Sequence, residues 1–262
     1  MLFLHPRERS LYEASPLGEV ICQIRFPKLL ALENSLPVDF QKIVGSEYPI
    51  LETRSHIGLS QTAQTLDRNE NARISTGILY DFFDEDRQTK ITLTSDFIAI
   101  STLSYTRWED FCGRISTALN ALKGTYDVHL FLRIGLRYQN VIRPNELGLT
   151  DASPSDLIEA ALLGLVPHAN KSVSHHSSTT FRIDDSAAAT VQVVIPIVEN
   201  AASSVYVIDT DTFEDAQIKA EVDGAVSILD KLHKAASDVF RCVILERLHN
   251  ALGPKPCGTV DN

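Results

Sequence analysis

Two stretches of strict alternation constrain this chain more than any other feature. In 17–26, Val20, Cys22, Ile24 and Phe26 fall on one side of an extended backbone. Glu19, Ile21, Gln23 and Arg25 fall on the other. The stretch 128–142 repeats the pattern, with Leu130, Leu132, Ile134, Leu136 and Tyr138 against Phe131, Arg133, Gly135, Arg137 and Gln139. A period of two sends successive side chains to opposite faces. Each stretch is therefore predicted as a strand with a core face and a largely polar face.

The remaining elements follow from turn formers and helical spacing. A short helix is expected at 36–44, with Pro37 in its first turn, where a missing N–H does no harm. Antiparallel strands are expected at 56–65, 73–83, 90–94 and 97–104, and Asp84-Glu85-Asp86 and Ser95-Asp96 read as turns. Thr106 and Glu109 have capping-box spacing ahead of a helix at 107–123, which Gly124 would close. Trp108, Phe111, Cys112, Ile115, Leu119 and Leu122 form one stripe of that helix.

The polar segment 143–155 is the best boundary. Beyond it come a helix at 156–165 capped by Ser155, strands at 172–183, 190–198 and 203–208, and a long helix at 222–252 that Gly253-Pro254 stops. The fold class is α+β: two related layers of antiparallel strands, each covered by a long amphipathic helix. The layers correspond to an N-terminal subdomain at 1–145 and a C-terminal one at 146–254, or to one continuous sheet, with a frayed tail at 255–262.

A chain of 262 residues that is 44 % hydrophobic can build a substantial core. Its formal net charge of −10 opposes non-specific grip on phosphate backbones, so nucleic acid is not the expected partner. Cys22, Cys112, Cys242 and Cys257 include no pair at metal-ligand spacing. The first three sit in apolar periodic segments, which is the usage of buried free thiols in a reducing compartment. No apolar run reaches signal-peptide or membrane-span length, so the expected location is the cytoplasm, with no membrane contact.

No catalytic signature is present: no G-x-S-x-G, P-loop or G-x-G-x-x-G occurs. No cofactor and no catalytic residue is assigned. If the two alternating strands share a sheet, Glu19, Gln23, Arg25, Arg133, Arg137 and Gln139 share a face. Three arginine forks there suit carboxylates or phosphates, so a groove for a small anionic ligand or an acidic partner segment is one reading. A structural ion-pair cluster is the other. Gly135 marks a place where something can approach the backbone closely.

Asp209-Thr210-Asp211, read as the end of a strand, could hold Mg²⁺ or Mn²⁺, with turn chemistry as the plainer alternative. His175 and His176 are neighbours in a strand, so they face opposite ways and do not converge on one metal. No metal site is assigned. His233 reads as a hydrogen-bonded core histidine, the aromatic block 105–111 as core, and the acidic stretch 81–86 as a solvated turn.

Several blocks resemble a sporadically distributed family of uncharacterised bacterial and archaeal proteins of about this length. They are Pro16-Leu17-Gly18-Glu19-Val20 with Gln23-Ile24-Arg25-Phe26, Tyr105 with Arg107-Trp108-Glu109-Asp110-Phe111, and Gly135-Leu136-Arg137-Tyr138-Gln139-Asn140. Asp209-Thr210-Asp211 and Leu232-His233 with Phe240 complete the set. The resemblance implies no reaction and no cofactor. Patchy distribution is shared by accessory genes, so it implies by association a subunit or antitoxin-like partner in a phage-defence or toxin–antitoxin system. The expected function is a non-catalytic binding or regulatory protein with a protein partner. A sensor of a small anion or nucleotide and a metal-dependent phosphoesterase using Asp209 and Asp211 are the alternatives.

Overall fold

The computed structural model describes residue 8 and residues 10–60, 73–168, 174–196 and 205–256. Parts of the strands expected at 56–65, 172–183, 190–198 and 203–208 lie outside these residues, as do Cys257 and the rest of the chain end. In chain order the elements are β1 (Ser10–Tyr12), β2 (Leu17–Arg25), α1 (Ala31–Asn34), α2 (Val38–Val44), β3 (Ile50–Ser60) and β4 (Arg73–Phe83). Next come β5 (Thr89–Leu93), β6 (Phe97–Thr102), α3 (Trp108–Thr125), β7 (Leu130–Ile142), β8 (His175–Arg182) and β9 (Ala187–Ile195). The last are β10 (Tyr206–Lys219), α4 (Val222–Val243), α5 (Glu246–Ala251) and β11 (Pro254–Pro256). Helices and antiparallel strands are mixed along the chain, so the fold class is α+β.

The chain divides into two compact units, each discontinuous in sequence. Unit 1 is Met1–Ile21, Ile134–Ala216 and Asp223–Asn262, and unit 2 is Cys22–Arg133 and Gln217–Val222. This differs from the expected 1–145 and 146–254. The reason is that β2, β7 and β10 each give residues to both units, so turn-rich composition at 143–155 does not mark the division.

In unit 2 the strands β3, β4, β5 and β6 form an antiparallel meander, with β2 next to β6. Its inward residues alternate as period two requires: Tyr80 and Phe82, Ile91 and Leu93, Ile98 and Ile100, and Cys22 and Ile24 are all buried. Helix α3 buries Trp108, Phe111, Ile115, Leu119 and Leu122, at spacings of three and four. Each such side chain contributes about 1.5–3 kcal/mol when fully buried. The expected capping box is absent. Arg107 is the N-cap and makes no side-chain cap bond, while Thr106 and Arg107 both turn to Asp110. Gly124 lies inside the last turn, and Tyr126 closes the helix through the Leu122 carbonyl.

Unit 1 carries the order β2-β7-β10-β9-β8. Its core joins Ala189, Val191, Val193 and Ile195 of β9 and Tyr206 and Ile208 of β10 to Val239 and Val243 of α4. Leu157, Ile158, Leu163, Leu248 and Leu252 fill the same cluster. The helix expected at 156–165 is replaced by three 3-10 turns, Pro154–Asp156, Ala160–Leu162 and Val166–His168. Leu157 and Ile158 are both fully buried there.

The same segment interrupts the expected 222–252 helix. Leu245 N–H donates to the Leu157 carbonyl and Glu159 N–H to the Val243 carbonyl, both at 2.8–2.9 Å, so α4 stops and α5 restarts. The tail is not wholly frayed: β11 pairs antiparallel with β1.

Candidate functional site

The site grows from two neighbouring strands of unit 1. On β7, Arg137 projects from the polar side; on β10, Asp209 lies in mid-strand rather than at a strand end. The expected boundary at 208 fails because Asp and Thr read as turn residues, whereas here the strand runs on to Lys219, with Asp209 bonded by Arg137 and Thr212 bonded to the Leu136 carbonyl. Arg137 closes on Asp209 as a fork: Nε donates to Oδ1 at 2.8 Å and to Oδ2 at 3.0 Å, and Nη2 donates to Oδ2. The Asp209 side chain is 6 % exposed and that of Arg137 45 %. The hydrogen bond that the guanidinium donates to Asp209 holds it above its ordinary range against the opposing effect of burial, with Asp211 and Glu19 adding to the negative field.

The two sides of these strands differ in chemistry. Along β9, Ala189, Val191, Val193 and Ile195 are buried, while Ala188, Thr190, Gln192 and Val194 are half-buried. The register sets Asp209 beside Gln192 and Gln192 beside Ser178, then Asp211 beside Thr190 and Thr190 beside Thr180. Two polar rows thus cross β10, β9 and β8, and Thr180 and Thr190 share a hydroxyl–hydroxyl bond at 2.8 Å. Sequence reasoning missed Thr190, Gln192, Ser178 and Thr180. The period-two pattern of 187–195 carried the signal, but only the register shows which partners the polar members meet.

On the core side the polar groups are tied to α4. Tyr138 hydroxyl meets His233 Nδ1 at 2.8 Å, so the hydrogen bond expected of His233 is present, while the residue is half-buried rather than core. Thr212 Oγ1 donates to the Leu136 carbonyl at 3.0 Å and lies 3.3 Å from that of Leu232. Asn140 reaches the Ile208 carbonyl at 3.4 Å. Thr210, buried in β10, has no hydrogen-bond partner for Oγ1 among the described residues.

The six residues expected on one face divide between the units. Glu19, Arg137 and Gln139 belong to unit 1; Gln23, Arg25 and Arg133 belong to unit 2. Within unit 2, Arg25 faces Asp96 at 3.6 Å with both side chains about half-exposed, and Arg133 is half-buried. A close backbone approach occurs at Gly18, where an added Cβ would stand 3.0 Å from Val141 Cγ2.

Asp209 is occupied by Arg137, which opposes its use as a metal ligand. Among the described residues no group of three or more His, Cys, Asp or Glu could hold an ion. His175 Nε2 bonds the Leu162 carbonyl at 2.7 Å while His176 is exposed, so the two diverge as period two requires.

The stretch 81–86 is a correction. Asp81 is fully buried inside β4, where Arg54 Nε donates to it at 2.6 Å and Thr92 Oγ1 at 2.5 Å. Only 84–86 forms the turn, in which Asp84 accepts from the Gln88 and Thr89 N–H groups. The 105–111 aromatics pack on one another, Tyr105 edge-on to Phe111 at 5.9 Å. Cys22, Cys112 and Cys242 are free thiols, the first buried and the others half-buried. No helix among the described residues is long and apolar enough to cross a membrane.

A scan against protein-family models found no match, and a search of curated proteins found none either.

Proposed function

We propose that this chain is a non-catalytic binding or regulatory protein and that its recognition surface is the polar face of unit 1 around Arg137. The closure of Arg137 on Asp209 carries this reading. A fork already satisfied by a buried carboxylate does not stand ready for a free anion, because a ligand would have to displace Asp209 from a bidentate pair. The same pair removes Asp209 from metal chemistry. What remains is a fixed array of Gln139, Asp211, Thr190, Gln192, Ser178 and Thr180, mostly neutral donors and acceptors held in strand register. Such an array suits hydrogen bonding to another protein surface.

We place this activity in the cytoplasm, in keeping with three free thiols. The task of a subunit or antitoxin-like partner in an accessory system rests on the family resemblance alone. The two-layer arrangement, each layer beneath a long helix, is part of the same proposal, and the buried stripes of α3 and α4 support it.

The test is capture from the source cells by wild type, Gln139→Lys and Thr190→Lys. Both residues are half-buried on the polar face. A partner retained by wild type and lost by both variants, with their melting unchanged, supports the reading. Equal retention by all three overturns it. If a nucleotide or phosphate instead raises the melting temperature in proportion to its excess, the anion-sensor reading replaces it.

A further inference from the structure

Among the described residues, strand β8 ends the hydrogen-bonded order of unit 1, with β9 on one side only. Which backbone groups it leaves on its other side follows from the hairpin. Ile183 N–H donates to the Ala187 carbonyl at 2.9 Å, continuing the register that sets Arg182 beside Ala188. In an antiparallel ladder, hydrogen-bonded and non-hydrogen-bonded pairs alternate. Phe181, Thr179, Ser177 and His175 therefore turn N–H and C=O toward β9. His176, Ser178, Thr180 and Arg182 turn theirs to the outer edge, and all four are exposed.

Proteins commonly blunt such edges with charge, proline or a bulge. Strand β3, the end strand of unit 2, carries Glu52 and Arg54, both in ion pairs. Strand β8 reads HHSSTTFR: no proline, no acid, one permanent charge at its last residue, and unbroken one-to-one register over eight residues.

We propose that the outer edge of β8 pairs with β8 of a second copy of this chain, antiparallel about a two-fold axis at Thr179. Parity fixes the register. All four outward residues enter the ladder only when His176 meets Arg182 of the other copy and Ser178 meets Thr180. Thr179 then stands opposite itself, an isologous contact that closes at two copies. The chemistry is self-complementary. Ser178 against Thr180 extends the hydroxyl ladder that Thr180 and Thr190 already form, and such cross-strand pairs are favourable. No charge opposes a like charge at the centre, and Arg182 directs its guanidinium to the Asp184 and Asp185 carbonyls of its own turn. A strand that is its own complement selects a second copy over an unrelated strand.

The test is sedimentation velocity over a concentration series for wild type, Thr179→Lys, Thr179→Glu and an equimolar mixture of the two variants. Wild type should dimerise. Like charges directly opposed should weaken each variant's dimer at least about tenfold. Thr179 is exposed, so both variants should melt as wild type does at concentrations where all three are monomeric. The mixture should recover the dimer, because Lys then faces Glu across the axis. A wild type that stays monomeric at every concentration, variants that dimerise as wild type does, or a mixture that fails to recover would each overturn the proposal.

Discussion

At the scale of single residues, the Arg137–Asp209 pair is half surface and half core. Exposed pairs contribute about 0–1 kcal/mol, whereas stranding one partner of a buried pair costs about 3–5 kcal/mol. Arg137→Ala leaves a carboxylate that is almost fully buried without its fork, so its cost should fall between these limits. Arg137→Met with Asp209→Leu should restore most of the loss. Urea unfolding of the two single variants and the double would measure the coupling. Tyr138→Phe removes the hydroxyl that meets His233 Nδ1, and should lower stability by about 1 kcal/mol in the same assay. The arginine and the histidine were both legible as candidates from their place in alternating or helical patterns. Asp209 as the fork's partner was not, because 72 residues separate the two in sequence.

At the scale of elements, caps and turns decide more than composition suggests. Thr106 has the spacing of a capping box but makes no cap bond, so Thr106→Ala should change the melting temperature very little. Ser153, which the sequence did not single out, forms a true box with Asp156: Ser153→Ala should cost about 0.5–2 kcal/mol in thermal unfolding. The β8–β9 turn is pinned by Asp184, which accepts from the Ser186 and Ala187 N–H groups at 2.8 Å and faces Lys231 of α4 at 3.3 Å. Those backbone bonds lower its pKa from an ordinary 3.8 to about 2. A depressed carboxylate contributes stability that is fully present above its unfolded value and is lost as pH falls through its folded value. Asp184→Asn should therefore destabilise above about pH 4, and the difference from wild type should vanish toward pH 2. Melting curves across that range would check it. The side chain is partly exposed, so solvent screens the effect and it will be small.

At the scale of the whole molecule, the chain closes on itself through weak ends as well as strong middles. Strand β11 has two prolines in three residues, leaving Lys255 its only N–H, yet it pairs with β1, and Lys255 forms an ion pair with Glu13. Truncation after Gly253 should speed hydrogen exchange at the Leu11 amide, which faces Lys255 in the ladder, and leave the β9 and β10 amides protected. A truncated chain with unchanged exchange at Leu11 would contradict that pairing.

The sequence by itself determined the α+β class, the alternation of β2 and of β7 from Leu136 to Asn140, the β4 boundaries, and the buried stripe of α3. These depend on periods of 2 and 3.6, which are local and survive in any window of the chain. At the start of β7, by contrast, Phe131 is buried and Leu132 exposed, the reverse of the expected faces. Tertiary structure alone decided three things: the length of β10, the break between α4 and α5, and the partner of Arg137. In each, a polar or ambiguous segment found its backbone or side-chain partner in a distant part of the chain. Pairing energy from such a neighbour overrides local propensity, and no local pattern encodes it.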